Sequence, residues 1–215
     1  MRELSRRRPP IDFVDLEGEL RSQGFSAIAG VDEVGRGCLA GPVVAAACIL
    51  KPNAQISGLA DSKQLSPQQR DHLFGLIQDE TIAWAIGSIA ADTIDQINIL
   101  QASLRAMEQA VGRLHVPPDI LLIDGRFPTA LTLPQQTLVR GDARIASIAA
   151  ASILAKVTRD RWMHDFEKKH PEFSFSRHKG YGTPQHLEEL RCFGPTPIHR
   201  WTFQGVTDDH NIPVS

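Results

Sequence analysis

The chain has 215 residues, 42% of them apolar and 22% charged, and its formal net charge is −2. This length suits one well-buried domain, and a net charge so near zero argues against a protein that coats nucleic acid without regard to sequence. Because no apolar stretch approaches the roughly 20 residues of a membrane span and the first residues lack the apolar core of a signal peptide, we expect a cytoplasmic protein without membrane contact.

The chain divides into three parts. Residues 1–26 predict a loosely attached lead-in segment with room for one short helix, residues 27–207 predict a single domain, and residues 208–215 predict a tail. No internal repeat or low-complexity segment interrupts the middle part, so we expect no interdomain linker. The three cysteines lack the spacing of a zinc site or a disulfide framework, which favours reducing surroundings.

A predicted strand over residues 27–31 ends in two adjacent carboxylates, Asp32 and Glu33. An isolated acidic pair is most often a solvated strand end. Burying unpaired charge is costly unless something compensates it, and a metal ion is the simplest such partner. The residues that follow favour this second interpretation.

The turn after the strand is rich in glycine, with Gly35, Gly37 and Gly41 around Arg36. Backbone without side chains can lie close to a ligand such as a sugar-phosphate chain. The spacing G-x-G-x-x-x-G is not the dinucleotide-binding fingerprint, because residues 43–50 predict a second strand where that fold requires a helix. We therefore expect a strand, a glycine turn and a second strand.

The next elements follow from capping and periodicity. Residues 66–78 begin with a capping serine, a proline at the first helical position and a glutamine at the third, which predicts a helix. Alternating apolar residues predict a third strand over residues 81–90, and a helical region over residues 92–114 follows. Residues 120–123 are apolar without alternation, which predicts a strand buried on both faces, and this strand ends at Asp124.

A short strand over residues 136–139 leads to Asp142, and a long Ala-rich helix is predicted over residues 144–170. Asp142 suits two roles equally well, as the N-terminal cap of that helix or as part of a catalytic site. Both roles can hold together.

Four carboxylates, Asp32, Glu33, Asp124 and Asp142, fall at predicted strand ends or at the mouth of a helix, where α/β folds gather their ligands. Taken singly, each has an ordinary explanation, such as the turn dipeptide Asp124-Gly125. Together, oxygen donors without His or Cys select Mg²⁺ or Mn²⁺. Two such ions, about 3.5 to 4 Å apart, would activate water and stabilise the leaving oxygen of a phosphodiester, so we expect hydrolysis by in-line displacement.

Charge is unevenly distributed along the chain. Residues 140–200 hold 11 Lys and Arg against 7 Asp and Glu, whereas the rest of the chain holds 12 against 18. Such a division suits a metal-dependent enzyme that acts on a polyanion, although solvated helix faces would give the same count. On the long helix, Ser152, Lys156 and Arg159 share one face and could contact successive phosphates, with a solvated face as the alternative.

Other polar residues of this region have less specific signals. Asp160 lies well inside the helix and away from the strand ends, so we assign it a structural pairing role. Tyr181 is the only tyrosine and lies in a glycine-rich, basic loop, which favours stacking on a sugar or base over burial in a core. We treat His178 and His199 as hydrogen-bonding residues.

These motifs match a known family in order and at compatible spacing. From about residue 27 to residue 203 the chain resembles bacterial ribonuclease HII. The matching segments are GVDEVGRG at residues 30–37, DSK at 61–63, DG at 124–125, GD at 141–142, AASILAKVTRD at 150–160 and HKGYGT at 178–183, with GPT at 194–196 and HR at 199–200 beyond them. The resemblance implies an α/β, ribonuclease H-like fold, whose mixed central sheet has three antiparallel strands and then two parallel ones. Helices flank this sheet, and a helical extension follows it.

Members of that family cleave the RNA strand of RNA-DNA hybrids and nick duplex DNA beside embedded ribonucleotides, using Mg²⁺ or Mn²⁺. The resemblance implies that the four carboxylates hold two divalent ions and perform catalysis. It also implies that the turn Gly35-Arg36-Gly37 contacts the 2′-hydroxyl at the RNA-to-DNA junction and that Tyr181 packs against the deoxyribose that follows. The further substrate contacts that it implies are Ser62, Lys63, Ser152, Lys156, Arg159 and Lys179. We expect a monomer.

Departures from the family pattern are few. Cys38 follows the glycine turn where many relatives have proline, which leaves the turn less rigid, and Trp201-Thr202 replaces a more polar pair. We expect the shorter relative, without the extra N-terminal domain of ribonuclease HIII. Two alternatives stay open. One is another two-metal nuclease of the same fold class that acts on DNA. The other is a noncatalytic hybrid-binding module whose carboxylates only cap helices and stabilise turns.

Overall fold

The computed structural model of the chain describes residues 13–59 and 65–207. The strands in this part are β1 Ile28–Val34, β2 Val43–Leu50, β3 Thr81–Ile89, β4 Ile120–Asp124 and β5 Gln135–Leu138. They form one mixed sheet in the order β3-β2-β1-β4-β5. Strands β1, β2 and β3 pair antiparallel, whereas β4 lies parallel to β1 and β5 parallel to β4. The predicted fold class, with three antiparallel strands and then two parallel ones, is confirmed.

Helices flank the sheet and continue beyond it. They are α1 Leu16–Ser22, α2 Pro67–Glu80, α3 Ala91–Ile97, α4 Ile99–Gly112, α5 Ala146–Lys169, α6 Phe175–His178 and α7 Pro184–Phe193, with a 3-10 helix over Gly141–Ala143. None of the described helices combines the length and the apolarity that crossing a bilayer requires.

Capping side chains determine where α2 and α4 begin. The backbone N–H of Gln69 donates to Ser66 Oγ at 3.2 Å, and the N–H of Ser66 donates to Gln69 Oε1 at 2.8 Å, which completes the capping box of α2. Asn98 separates α3 from α4, because its φ of 66° is outside the helical region. Its Oδ1 then accepts the N–H groups of Leu100 and Gln101 at the start of α4.

Both faces of the sheet are covered. Helix α4 packs on one face, and α2 and α5 pack on the other. Glycines allow very close approach, since a Cβ added to Gly30 would lie 2.2 Å from the carbonyl carbon of Ser147, and one added to Gly87 would lie 2.0 Å from the carbonyl oxygen of Ala106. Helix α5 therefore lies directly against β1 and follows that strand towards its carboxylates.

The expectation of a loosely attached lead-in is wrong for α1. Leu20 is 2% exposed and packs in one cluster with Ile28 of β1 and Ile148 of α5. Glu17 Oε1 accepts the backbone N–H of Ser147 at 3.0 Å, which ties α1 to the start of α5. A seven-residue helix with one buried side chain has too little periodicity to reveal this packing in the sequence.

The helical C-terminal extension packs on the loop that follows β1. Phe173 and Leu190 belong to the same buried cluster as Leu39 of that loop. The backbone N–H of Leu39 donates to Gly180 O at 2.7 Å, and the N–H of Gly41 donates to Ile198 O at 2.8 Å. The glycine turn is thus enclosed between the sheet and the extension.

Candidate active site

The carboxyl ends of β1 and β4 bring two acidic residues together. These strands are parallel neighbours, and Val31 pairs in register with Ile123. The next residue on β1 is Asp32 and the next on β4 is Asp124, so both carboxylates leave the sheet at one point. Glu33 follows Asp32 on β1 and donates its backbone N–H to Asp32 Oδ1 at 2.7 Å.

Asp142 joins this group from the 3-10 helix after β5. Its side chain is buried, at 5% exposure, and its charge acts on Asp32. The preceding Gly141 donates its backbone N–H to Asp124 Oδ1 at 2.7 Å, which ties the 3-10 helix to the end of β4. The alternative role of Asp142 as the cap of α5 is wrong, because the N-cap position of that helix is Ile145.

The site concentrates the negative charges of three other carboxylates around Asp32. Burial raises the pKa of Asp32 well above its usual value, and the neighbouring carboxylates of Glu33, Asp124 and Asp142 raise it further, whereas a hydrogen bond from Ser152 lowers it. Burial also raises the pKa of Glu33, against the effect of Arg36. Buried like charges at one point require a cation or protons for compensation.

Glu33 shows that this compensation is incomplete among the described residues. Its Oε1 accepts a hydrogen bond from Arg36 Nη1 at 3.1 Å, but its Oε2 is buried and has no hydrogen-bond partner among the described residues. A buried carboxylate oxygen without a donor is a position that a metal ion would satisfy. The surrounding donors are hard oxygens, which fit Mg²⁺ or Mn²⁺.

The carboxylates are gathered without forming a finished coordination shell. Among the described His, Cys, Asp and Glu side chains, no three lie in an arrangement that already encloses a metal ion. Three of the oxygens already accept hydrogen bonds within the protein, one on Asp32 from Glu33, one on Glu33 from Arg36 and one on Asp124 from Gly141.

The glycine turn directly follows these carboxylates. Gly35 has a φ of +92°, and a Cβ there would lie 2.3 Å from Nε of Arg159, so this position requires glycine. A Cβ on Gly37 would meet no described atom within 4 Å, which leaves that side of the turn open. The side chain of Arg36 is 47% exposed beside Glu33.

A buried guanidinium holds the turn from inside, and the sequence reasoning missed it. Arg200 is fully buried and donates to three carbonyl oxygens, those of Gly35 at 2.6 Å, Arg36 at 2.8 Å and Gly41 at 2.9 and 3.1 Å. Burial lowers its pKa to about 10. The motif at residues 199–200 was a signal for Arg200, but nothing in its spacing indicates the turn as its partner.

Tyr181 lies beside this turn. It forms an isolated antiparallel bridge with Cys38, which is fully buried, and its side chain remains 41% exposed. Burial against the turn raises the pKa of the Tyr181 phenol, and Cys38 raises it further. An aromatic ring that is half open to solvent beside the turn is available for contact with a ligand.

The polar face of α5 is only partly as predicted. Ser152 is 5% exposed and its side chain hydrogen-bonds Asp32, so it contacts the cluster of carboxylates. Arg159 is fully buried, and its guanidinium donates to the carbonyls of Pro42, Ala40 and Lys179 at 2.8 to 3.0 Å. The structure gives no support to the prediction that Arg159 contacts phosphate, because the residue is fully buried and three of its N–H groups bond carbonyls inside the protein.

Lys156 and Lys179 line an open groove of about 710 Å³ along α5, together with Arg70, Arg161 and Arg177. Lys156 Nζ bonds Asp160 Oδ1 at 2.7 Å, in agreement with the structural pairing role assigned to Asp160. Ser62 and Lys63, the two other predicted substrate contacts, lie outside the described residues.

Comparison with known proteins gives a consistent result. The sequence profile of the ribonuclease HII family matches residues 29–206. A ribonuclease HII of Geobacter metallireducens is 54% identical over 192 residues, which cover 89% of this chain and 90% of that protein. A ribonuclease HII of Geobacillus kaustophilus is 50% identical over 197 residues, which cover 92% of this chain and 75% of that protein.

Solved structures agree with the sequence matches. The ribonuclease H2 of Pyrococcus horikoshii OT3 superimposes with a TM-score of 0.71 at 27% identity, over 84% of this chain and 95% of that one. Bst-RNase HIII superimposes with a TM-score of 0.63 at 17% identity, over 84% of this chain and 68% of that one. At the lower identity the likeness concerns the fold alone.

Proposed function

Because this chain belongs to the ribonuclease HII family, we propose that Asp32, Glu33, Asp124 and Asp142 are its catalytic and metal-binding residues. The chain is an endonuclease that acts on the RNA of RNA-DNA hybrids. One observation carries the assignment of the site: the carboxylates at the ends of β1 and β4 meet directly beside a glycine turn that is open on one side.

The four carboxylates would hold divalent ions, and the ions that we propose are Mn²⁺ or Mg²⁺, two per chain. When bound, such a pair supplies an activated water and stabilises the leaving oxygen of the phosphodiester. The protein's part is to hold oxygen donors at one point. Ser152 orients Asp32, Gly141 orients Asp124, and Glu33 offers Oε2.

Substrate selection is assigned to the turn and to Tyr181. Backbone groups of Gly35, Arg36 and Gly37 can hydrogen-bond the ribose 2′-hydroxyl, the group that distinguishes RNA from DNA at one position. The half-exposed ring of Tyr181, whose backbone is bridged to Cys38 directly after the turn, would pack against the next sugar. We therefore propose that the enzyme nicks duplex DNA at embedded ribonucleotides as well as hydrolysing hybrids.

Phosphate contacts are assigned to the groove along α5. Lys156 and Lys179 line it, and cations that neutralise phosphates supply most of the salt-dependent affinity for nucleic acid. Ser62 and Lys63 stay predicted contacts. That the enzyme is a cytoplasmic monomer also stays a prediction.

The test uses three duplexes with and without divalent ions: a uniform RNA-DNA hybrid, a DNA duplex with one ribonucleotide, and the same duplex made entirely of DNA. We expect cleavage of the first two in Mg²⁺ or Mn²⁺, none in EDTA, and none of the third under any condition. Cleavage of the all-DNA duplex would instead identify a DNA nuclease of the same fold class.

Calorimetry with Mn²⁺ in the absence of nucleic acid tests the metal assignment separately. We expect saturable binding by the wild-type chain and a large loss of affinity in Asp32→Asn. A chain that binds the hybrid but no Mn²⁺ would be a noncatalytic module, and the catalytic assignment of the carboxylates would then be withdrawn.

A further inference from the structure

Three buried histidines lie side by side beneath the loop that carries Tyr181. The rings of His178 and His186 stack with centroids 4.1 Å apart, and His186 Nε2 lies 3.0 Å from His199 Nε2. Phe173 and Phe175 pack against this group. The proposed reaction uses none of the three imidazoles.

The hydrogen bonds at one end of the row determine the protonation of His199. Its Nδ1 accepts the backbone N–H of Thr196 at 2.9 Å, so this nitrogen carries no hydrogen. The hydrogen of the neutral ring must then be on Nε2. His199 therefore donates to Nε2 of His186.

The hydrogen bonds at the other end of the row independently give the same direction for the bond between His199 and His186. His186 Nδ1 lies 2.9 Å from the carbonyl oxygen of Tyr181, which can only accept, so Nδ1 must carry the hydrogen. The Nε2 of the neutral ring is then free to accept from His199. A single chain of donors thus runs from Thr196 through His199 and His186 to the backbone of Tyr181.

This arrangement requires both rings to be neutral, and their surroundings keep them so. Burial lowers the pKa of His186 to about 4 and that of His199 to about 3, with further lowering from the neighbouring imidazoles. His178 is fixed separately, since its Nδ1 accepts the N–H of Gly180 at 3.1 Å and its Nε2 bonds Glu189 at 2.9 Å. The chain is therefore intact at neutral pH.

The end of the chain is the residue whose ring lies beside the glycine turn. Tyr181 O accepts from His186 and also from the N–H of Thr183 at 2.8 Å, while its own N–H donates to His178 O at 2.9 Å. With its carbonyl and its N–H both held, the backbone of Tyr181 is fixed, and the Cys38 bridge sets its place against the turn.

We propose that His186 is a positioning residue for substrate selection, because its Nδ1–H holds the backbone of Tyr181 so that the aromatic ring stays beside the Gly35-Arg36-Gly37 turn. This inference rests on the proposed role of Tyr181 at the junction. It assigns no proton transfer and no substrate contact to the histidine itself.

Two substitutions of His186 separate its two hydrogen bonds. In His186→Asn, the side-chain amide occupies the place of Nδ1 and can still donate to Tyr181 O, but the bond with His199 is lost. In His186→Gln, the amide reaches the place of Nε2, so the bond with His199 is kept and the one to Tyr181 is lost. Tyr181→Ala measures the full effect of the ring, and His72→Asn, an exposed histidine on α2, is the control.

The measured quantity is the ratio of kcat/KM for a duplex with one embedded ribonucleotide to kcat/KM for a uniform hybrid. We expect Tyr181→Ala to lower this ratio by about tenfold or more. His186→Gln should lower it by about two- to tenfold, the effect of one hydrogen bond, whereas His186→Asn should stay within about twofold of wild type. His72→Asn should match wild type.

The outcomes are distinguishable. An unchanged ratio in Tyr181→Ala removes the proposed role of Tyr181 and this inference with it. A lowered ratio in Tyr181→Ala together with equal ratios in the two His186 variants overturns this inference alone.

Nitrogen-15 NMR of the wild-type protein tests the same point without any substitution, and so covers the case in which a variant fails to fold. We expect the shifts of His186 to report hydrogen on Nδ1 and those of His199 to report hydrogen on Nε2. The opposite tautomer at His186 would refute the proposal, because Nδ1 could then not donate to Tyr181.

Discussion

Asp32 and Asp124 each stand one residue beyond a register pair, Val31 and Ile123, on neighbouring parallel strands. Because side chains alternate across a sheet, a slip of one residue between β1 and β4 would turn one carboxylate to the opposite face. The buried side chains of both strands oppose such a slip, because those on each face of the sheet pack in a separate cluster with its own helices and a slip would exchange them. The hydrophobic core therefore sets the distance between these acidic groups.

Asp124→Asn should reduce cleavage of a uniform hybrid by at least about a hundredfold while hybrid binding stays close to wild type. The amide keeps the shape of the side chain and can still accept from Gly141, but it removes one negative charge from the site. Single-turnover cleavage and a binding titration on the same substrate measure the two effects. Asp165→Asn, at an exposed carboxylate on α5, is the matched control. Turnover like that of wild type in Asp124→Asn would remove Asp124 from the site.

Arg200→Lys should destabilise the protein by about 3 kcal/mol, because an ammonium cannot reproduce the planar set of bonds to three carbonyls. Urea unfolding gives the free energy directly. The same change at Arg191, an exposed position, should alter it by less than about 0.5 kcal/mol. Equal stability of the two variants would show that the carbonyls of the turn do not depend on Arg200.

The buried histidines make stability depend on pH with a definite sign. Since the folded-state pKa values of His186 and His199 are lowered to about 4 and about 3, the unfolded chain binds more protons below its own histidine pKa of about 6.5. The free energy of unfolding should therefore fall as the pH falls from about 6.5 towards 4. Each histidine contributes a slope of up to about 1.4 kcal/mol per pH unit.

Urea unfolding of His199→Asn over this pH range checks the sign and the size of that slope. The variant should show a shallower dependence than wild type, whereas His72→Asn should not differ from wild type, since His72 is exposed. A slope in His199→Asn as steep as that of wild type would mean that His199 is not held neutral in the folded state.

Two glycines should respond to alanine in opposite ways. Gly30→Ala would place a Cβ 2.2 Å from the backbone of Ser147 and push α5 away from β1, at a cost of about 1–3 kcal/mol and with reduced cleavage, because Ser152 would move with the helix. Gly75→Ala, in α2, meets no described atom within 4 Å and should stabilise by about 0.5–1 kcal/mol. Unfolding curves of both variants and hybrid cleavage by Gly30→Ala provide the comparison.

Much of the fold follows from signals that lie close together in the sequence. The second strand was predicted with the bounds that the structure has, Val43–Leu50, because its apolar run is limited on both sides by turn residues. The capping box at Ser66 predicts the start of α2 equally well, because its serine, proline and glutamine all lie within the first helical turn. The carboxylates at the strand ends were visible because charge is unusual directly after an apolar run.

The remaining features depend on tertiary contacts that no local pattern contains. Helical spacing predicts that Ser152, Lys156 and Arg159 share one face, but it does not predict which other segments pack on each side chain. Arg159 is in fact enclosed by the loop after β1. Nor did any spacing connect His186 with the carbonyl of Tyr181, since a histidine on an amphipathic helix is most often an ordinary side chain of the core or surface.

Arg200 lies 165 positions after Gly35, whose carbonyl it holds. During synthesis on a ribosome, all four acidic residues, up to Asp142, are therefore made long before the side chain that fixes the turn. A chain interrupted between these points carries the acidic groups but lacks the guanidinium that bonds the carbonyls of the turn. The bonds that hold the turn are therefore completed only after Arg200 has been translated.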